Sequence, residues 1–147
     1  MITQMVIFGA TGAVAQRYVF PALSHVCALK QLPDDFSIVG VGRRPWKTPQ
    51  FQEYDSEILG KHRPPIPAGT RLELLSLLSY RQMDTLTDPS QLNRLFSHTT
   101  GTSLIYLGLP ANLFGPVLTA LQDVRFPRGS RIVIEKPFGL SYAESRE

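Results

Sequence analysis

Short apolar runs alternate with amphipathic stretches along the whole 147-residue chain. Met5-Val-Ile-Phe8 is an unbroken apolar run ended by a glycine, and it predicts a buried strand. From Ala13 to Leu29 the apolar residues Val14, Tyr18, Ala22, Val26 and Leu29 recur every three or four positions, which predicts a helix. Pro21 lies inside that pattern and is expected to kink it or to end its first segment. Phe36 to Val41 predicts a second strand, and Gln50 to Leu59 a helix. The stretch Lys61-His-Arg-Pro-Pro-Ile-Pro-Ala-Gly69 has three prolines and a glycine and predicts a loop without regular structure. Leu74 to Tyr80 reads as a third strand, or as an extended apolar segment leading into one. Asp88-Pro89-Ser90-Gln91 has the makings of a helix start: an acidic N-cap, proline at the first helical position and glutamine three residues after the cap. That helix is expected to run to about Ser97. Ser103 to Leu107 and Arg131 to Ile134 predict the fourth and fifth strands. Between them Leu113 to Leu121 is helical in pattern, with Gly115-Pro116 expected to interrupt its first turn.

Alternating strands and helices, with strands that are apolar almost throughout, indicate an α/β fold whose parallel sheet is covered on both faces. No internal repeat or low-complexity segment divides the chain, so residues 1–147 are expected to form one domain. Its length allows burial of roughly 70% of the surface that the unfolded chain exposes. A hydrophobic content of 43% and a charged content of 18% are ordinary for a globular domain. The net charge of +3 suits anionic phosphates but lacks the dense basic stripe of a nucleic-acid binder. Cys27 has no second cysteine to pair with, which favours a reducing, cytoplasmic setting, and its place in a helical apolar pattern makes it a packing residue. His25, His62 and His98 are too widely spaced to form a metal cluster with it. No run is long enough to cross a bilayer, and Met5 to Phe8 lacks the basic flank and length of a signal peptide, so neither membrane nor nucleic acid is an expected partner.

The candidate chemistry begins where the first strand ends, at Gly9-Ala-Thr-Gly12-Ala-Val-Ala15. A strand–turn–helix context is what a phosphate-binding glycine turn requires. Gly9 can take the backbone angles of a sharp turn. Gly12 lets a pyrophosphate approach the free N–H groups at a helix start, and Thr11 offers a hydroxyl. Ala15 keeps helix and strand close. The spacing is Gly-x-x-Gly-x-x-Ala rather than the commoner Gly-x-Gly-x-x-Gly, and an ordinary tight strand-to-helix connection is the competing reading. The second strand runs into Gly40-Val-Gly42-Arg43-Arg44, with no acid to accept hydrogen bonds from a ribose diol. Arginine at that place accommodates a 2′-phosphate, so the expected cofactor is NADP rather than NAD; two solvated surface arginines are the alternative.

With the turn, Arg43 and the fifth strand in view, the sequence resembles the N-terminal coenzyme domain of glucose-6-phosphate dehydrogenases. The likeness is carried by residues 6–15 through Pro21, by Ile38-Val-Gly-Val-Gly-Arg43, by Ile105-Tyr-Leu-Gly-Leu-Pro110 and by Arg131-Ile-Val-Ile-Glu-Lys-Pro-Phe-Gly139. Glu135-Lys-Pro-Phe-Gly139 is the most specific of these. The resemblance implies a Rossmann-like, doubly wound parallel sheet. It implies that Gly9, Thr11, Gly12, Ala13 and Val14 border the coenzyme diphosphate, that Arg43 holds the 2′-phosphate, and that Asp84 and Thr85 lie at the adenosine end. Lys136 would touch both coenzyme and the substrate, glucose 6-phosphate, and a cis bond at Pro137 is possible. The chain departs from the family at Ala13, usually an aspartate, and at Gln16 and Arg17, usually two basic residues. These departures bear on how tightly coenzyme is held, not on where.

The family's sugar-phosphate segment and catalytic His–Asp pair have no counterpart in these 147 residues, so no catalytic residue is assigned. The chain alone is expected to bind coenzyme without turnover, and full-length members oligomerise through a domain not included in it. A non-catalytic NADP-binding or regulatory module is the alternative. A short-chain dehydrogenase requires a Tyr-x-x-x-Lys pair, and the nearest approach is Tyr142 with Arg146.

Overall fold

The computed structural model describes residues 1–97, 99 and 101–135. Five strands form one parallel sheet: β1 (Ile2–Phe8), β2 (Ser37–Gly42), β3 (Leu78–Gln82), β4 (Thr102–Leu107) and β5 (Arg131–Ile134), in the order β3-β2-β1-β4-β5. β1 is central; Val6 lies between Val39 on one side and Ile105 on the other. The chain therefore builds outward from β1 in one direction, then returns to pair β4 with its opposite edge.

Alternate residues of each strand feed two separate cores. Val6, Phe8, Val39, Val41, Ile105 and Leu107 pack toward α4 (Pro89–Phe96) and α5 (Phe114–Gln122). Met5, Ile7, Ile38 and Tyr106 pack toward α1 (Phe20–Ala28), α2 (Thr48–Gly60) and α3 (Ala68–Ser76). This is the expected Rossmann-like, doubly wound α/β architecture. Apolar runs on β1 and β2 follow from it, because a strand covered on both faces has no polar side to show.

The first helix departs from its apolar pattern. It opens at Ala13, passes through a π-helical turn at Ala15–Val19, and becomes α1 just before Pro21. Pro21, which has no N–H to continue the ladder, follows closely on that turn. The buried residues are Ala15, Gln16, Phe20, Ser24 and Cys27, whereas Val14, Tyr18, Ala22 and Leu29 are exposed, Tyr18 at 62%. The helix was thus legible but its inward face was not. Two polar residues occupy that face and bond locally: Gln16 Nε2 donates to the Ala10 carbonyl at 2.8 Å, and Ser24 Oγ to the Pro21 carbonyl at 2.7 Å.

Three further expectations are corrected. Leu74 to Ser76 is the last turn of α3, and the strand begins at Leu78. Ala68 and Gly69, read as loop, open α3 behind Pro67. Gly115-Pro116 does not interrupt α5, since Pro116 stands within its first turn, before the first intrahelical donor is required. The Asp88 cap forms as predicted: its carboxylate accepts from the Ser90 N–H at 2.9 Å and from Gln91 Nε2 at 3.0 Å. The Ser90 hydroxyl, which donates to the same carboxylate at 2.8 Å, does most to hold the Asp88 carboxyl below the usual carboxylate range, and the Gln91 amide and Ser90 N–H add to it.

Candidate functional site

A crevice of about 730 Å³ opens at the carboxyl ends of the strands, where the order reverses between β1 and β4. In open α/β sheets that switch point is where ligands bind. Four segments line it: the glycine turn after β1, Val41 to Arg44 at the end of β2, Met83 to Thr87 after β3, and Gly108 to Pro110 after β4, with Leu113, Pro116 and Val117 behind them.

The turn is built by close backbone approach. Gly9 has φ +73°, and a Cβ there would collide with the Gly108 carbonyl. Only glycine allows both the angle and the contact. Gly12 N–H returns to the Gly9 carbonyl at 2.9 Å, and Gln16 N–H bonds the Gly12 carbonyl at 3.1 Å as the first intrahelical bond. The N–H groups of Ala13, Val14 and Ala15 precede that bond and form the helix start offered to an anion.

Behind the turn, Ala10 N–H donates to the Val41 carbonyl at 3.1 Å and Tyr54 Oη to the Thr11 carbonyl at 3.3 Å. Gly40 makes room for this arrangement: a Cβ on it would lie 2.8 Å from the Phe51 ring and 3.0 Å from the Ala10 methyl. Beneath lies Asp55, fully buried, whose carboxyl is pushed up to about 7 by burial, with the Gln16 amide acting in the opposite direction.

Arg43 and Arg44, alike in the sequence, are not alike in place. Both line the crevice, and neither forms an ion pair among the described residues. The Arg44 guanidinium lies over the Trp46 ring at 4.6 Å and near Tyr54 at 5.2 Å, while its carbonyl accepts from Tyr80 Oη at 3.1 Å. Such stacking contributes about 0.5–1 kcal/mol at an exposed site and restrains the side chain. Arg43 is exposed and unrestrained by any such contact among the described residues.

Asp84 accepts from Gln82 Nε2 at 3.2 Å, and the Thr85 and Thr87 hydroxyls are 2.9 Å apart. On the far side, Tyr106 Oη donates to Glu135 Oε1 at 3.1 Å and bridges the ends of β4 and β5. Burial, with the Glu135 carboxylate beside it, pushes the Tyr106 hydroxyl up to about 12.

The crevice therefore brings together Gly9, Thr11, Gly12, Arg43, Asp84 and Thr85. Ala13 and Val14 are exposed on the first helical turn and do not line it. Lys136, Pro137, His98, Tyr142 and Arg146 lie outside the described residues. Residues passed over in the sequence include Gly108, Leu109, Thr87 and Tyr54. Asp55 left a trace: it falls midway between Phe51 and Leu59 at a spacing of four, which puts an acid on the buried face of a helix.

A helix start whose first N–H groups precede any intrahelical bond, a glycine cradle that a side chain would fill, and two arginines without acidic partners among the described residues together fit the phosphate groups of a dinucleotide. Among the described residues no His, Cys, Asp or Glu cluster suits a metal, and no helix is long and apolar enough to cross a membrane.

Comparison with known proteins agrees. The family model for "Glucose-6-phosphate dehydrogenase, NAD binding domain" matches residues 6–147. Glucose-6-phosphate 1-dehydrogenase of Bacillus subtilis is 30% identical over 92% of this chain, and that of Treponema pallidum 32% identical over 92%. The chain spans 29% of the length of each. The crystal structure of glucose-6-phosphate 1-dehydrogenase from Mycobacterium avium superposes with a TM-score of 0.86 at 27% identity, covering 99% of this chain and 32% of that one. The cofactor class this family's domain implies is a nicotinamide dinucleotide. The chain belongs to the glucose-6-phosphate dehydrogenase family, and residues 6–147 correspond to its NAD binding domain.

Proposed function

We propose that the crevice takes NADP and that the chain is the coenzyme-binding part of a glucose-6-phosphate dehydrogenase. The reaction served is hydride transfer from C1 of glucose 6-phosphate to NADP, giving 6-phosphogluconolactone. The observation that carries the choice of NADP is the pair Arg43 and Arg44 at the carboxyl end of β2, in the same crevice as the glycine turn. That strand contributes no acid, so a 2′-phosphate gains charge-assisted bonds there and a bare diol gains none.

In this reading the bound nicotinamide supplies the hydride acceptor. Gly9, Thr11, Gly12, Ala13 and Val14 serve the diphosphate: the two glycines by close approach, Thr11 by its hydroxyl, Ala13 and Val14 by backbone N–H groups. Arg43, which forms no ion pair or stacking contact among the described residues, takes the 2′-phosphate, and Arg44, stacked on Trp46, adds a fixed positive charge beside it. Asp84 and Thr85 border the adenosine end. Lys136 is assigned to coenzyme and glucose 6-phosphate on the sequence resemblance alone. The chain is assigned to the cytoplasm because its one cysteine, Cys27, suits a reducing setting.

Calorimetric titration of the 147-residue chain with NADP and NAD tests the assignment. NADP binds more tightly, and Arg43→Ala weakens NADP by tenfold or more, from the loss of a charged hydrogen bond of about 1.5–3 kcal/mol, while NAD changes little. Equal affinity for the two nucleotides in the unaltered chain sinks the argument from Arg43. No NADPH forms on adding glucose 6-phosphate to the chain alone, and measurable turnover refutes that expectation.

A further inference from the structure

Beneath the glycine turn three buried polar atoms have no hydrogen-bond partner among the described residues: Gln16 Oε1 and both carboxyl oxygens of Asp55. They belong to facing elements, since α2 packs on the π-helical turn as well as on α3 and β3. The ionisable side chains of these elements do not compensate Asp55. Arg17, Tyr18 and Arg81 are exposed, as are Glu53 and Glu57 of α2 itself. Glu73 is bonded to Lys30, Arg71 donates to the Ile66 carbonyl, and Tyr80 and Tyr54 donate to the carbonyls of Arg44 and Thr11. Burial, the largest influence, raises the Asp55 carboxyl, and the adjacent Gln16 amide lowers it; no charged group among the described residues contributes.

A carboxylate in such surroundings is strongly disfavoured. One proton removes the difficulty, because a carboxylic acid carries a donor and Gln16 Oε1 is an acceptor in need of one. Resting on the NADP reading of the crevice, we propose that Asp55 is a positioning residue for the coenzyme turn: as the uncharged acid it donates its proton to Gln16 Oε1, and Gln16 thereby holds the Ala10 carbonyl through Nε2. The adjacent residue, Tyr54, holds the next carbonyl of the turn, that of Thr11. Two consecutive residues of α2 thus fix two consecutive peptide units of the phosphate cradle, one directly and one through Gln16.

Loss of the Asp55 proton reverses the requirement at Gln16. A carboxylate calls for the amide NH₂, so the side chain turns over and Ala10 loses its donor. The carboxyl ionises at about 7, so the change falls in the neutral range.

The test is nuclear magnetic resonance of the chain without coenzyme from pH 5.5 to 8.5, paired with NADP calorimetry over the same range, in the unaltered chain and in Asp55→Asn. Asparagine keeps a donor toward Gln16 at every pH. In the unaltered chain the Ala10, Thr11 and Gly12 amide resonances move with the Asp55 carboxyl carbon, at one shared midpoint. In Asp55→Asn that movement is gone. NADP affinities agree within about twofold at pH 5.5, and the variant binds up to about thirtyfold more tightly at pH 8.5, the factor set by 1.5 pH units beyond the midpoint. The coenzyme's own phosphate ionisation is common to both proteins and cancels.

Turn amides that stay still while Asp55 titrates, or that titrate equally in the variant, overturn the proposal. If Asp55→Asn does not fold, the shared midpoint in the unaltered chain decides alone. Absence of NADP binding to either protein at pH 5.5 overturns the coenzyme reading, and the amide titration still decides the Asp55–Gln16 link.

Discussion

Replacing Asp55 by asparagine removes one ionisation from the core while leaving side-chain volume nearly unchanged. In the folded chain burial keeps the carboxyl proton in place to about pH 7, against an ordinary carboxyl value of 3.8. Between those two points the folded state binds a proton that the unfolded state has released, so stability falls as pH rises. The contribution is complete below pH 3.8 and is lost by about pH 7. An interval of about three pH units, at roughly 1.4 kcal/mol each, makes the loss about 4 kcal/mol. Asparagine does not ionise and undergoes no such decline. The two proteins are therefore equally stable at pH 4, to within about 1 kcal/mol, whereas the variant is more stable by up to about 4 kcal/mol at pH 8. Domains of this size have total stabilities of about 5–15 kcal/mol, so the gap is easily measured. Urea unfolding at pH 4, 5.5, 7 and 8 yields it from the midpoints, provided the slopes agree. A gap that does not grow with pH, or a variant less stable at pH 8, refutes the reasoning.

Two further substitutions probe the packing that supports the turn. Phe51→Ala empties a fully buried site whose ring lies 4.8 Å from Tyr80 and 6.0 Å from Phe20, and costs about 3–5 kcal/mol in urea unfolding; a cost below about 1.5 kcal/mol contradicts the described core. Gly9→Ala places a Cβ at φ +73° against the Gly108 carbonyl, so its melting temperature falls by an amount corresponding to at least ~1 kcal/mol, and an unchanged midpoint contradicts the geometry.

Most of the sheet was legible because strands buried on both faces declare themselves: Met5 to Phe8 and Ile38 to Val41 are buried throughout and admit no helical period. The crevice was legible where it depends on backbone or charge, as at Gly9, Gly12 and Arg43. Helix faces were harder. Val14 and Tyr18 look like core and are exposed, while Gln16 and Ser24 look like surface and are buried, because short-range bonds to the Ala10 and Pro21 carbonyls take up their donors. Leu74 and Leu75 carry no mark that distinguishes a helix end from a strand, and only the preceding turns of α3 decide it. The second layer behind the turn, Tyr54 and Asp55, depends on α2 packing back against β3 and the π-helical turn, which no local pattern states.

The pairing of β1 with β4 has a kinetic consequence. Phe8 lies beside Leu107, 99 positions later in the chain, and the Gly108 N–H bonds the Phe8 carbonyl at 3.0 Å. The two walls of the crevice therefore meet only when distant parts of the chain close on each other, a step that slows folding relative to local contacts. A nucleotide that needs both walls has nothing to grip before that closure. A nicotinamide dinucleotide added during refolding is thus expected to slow unfolding and raise the final yield without hastening the approach to the native state.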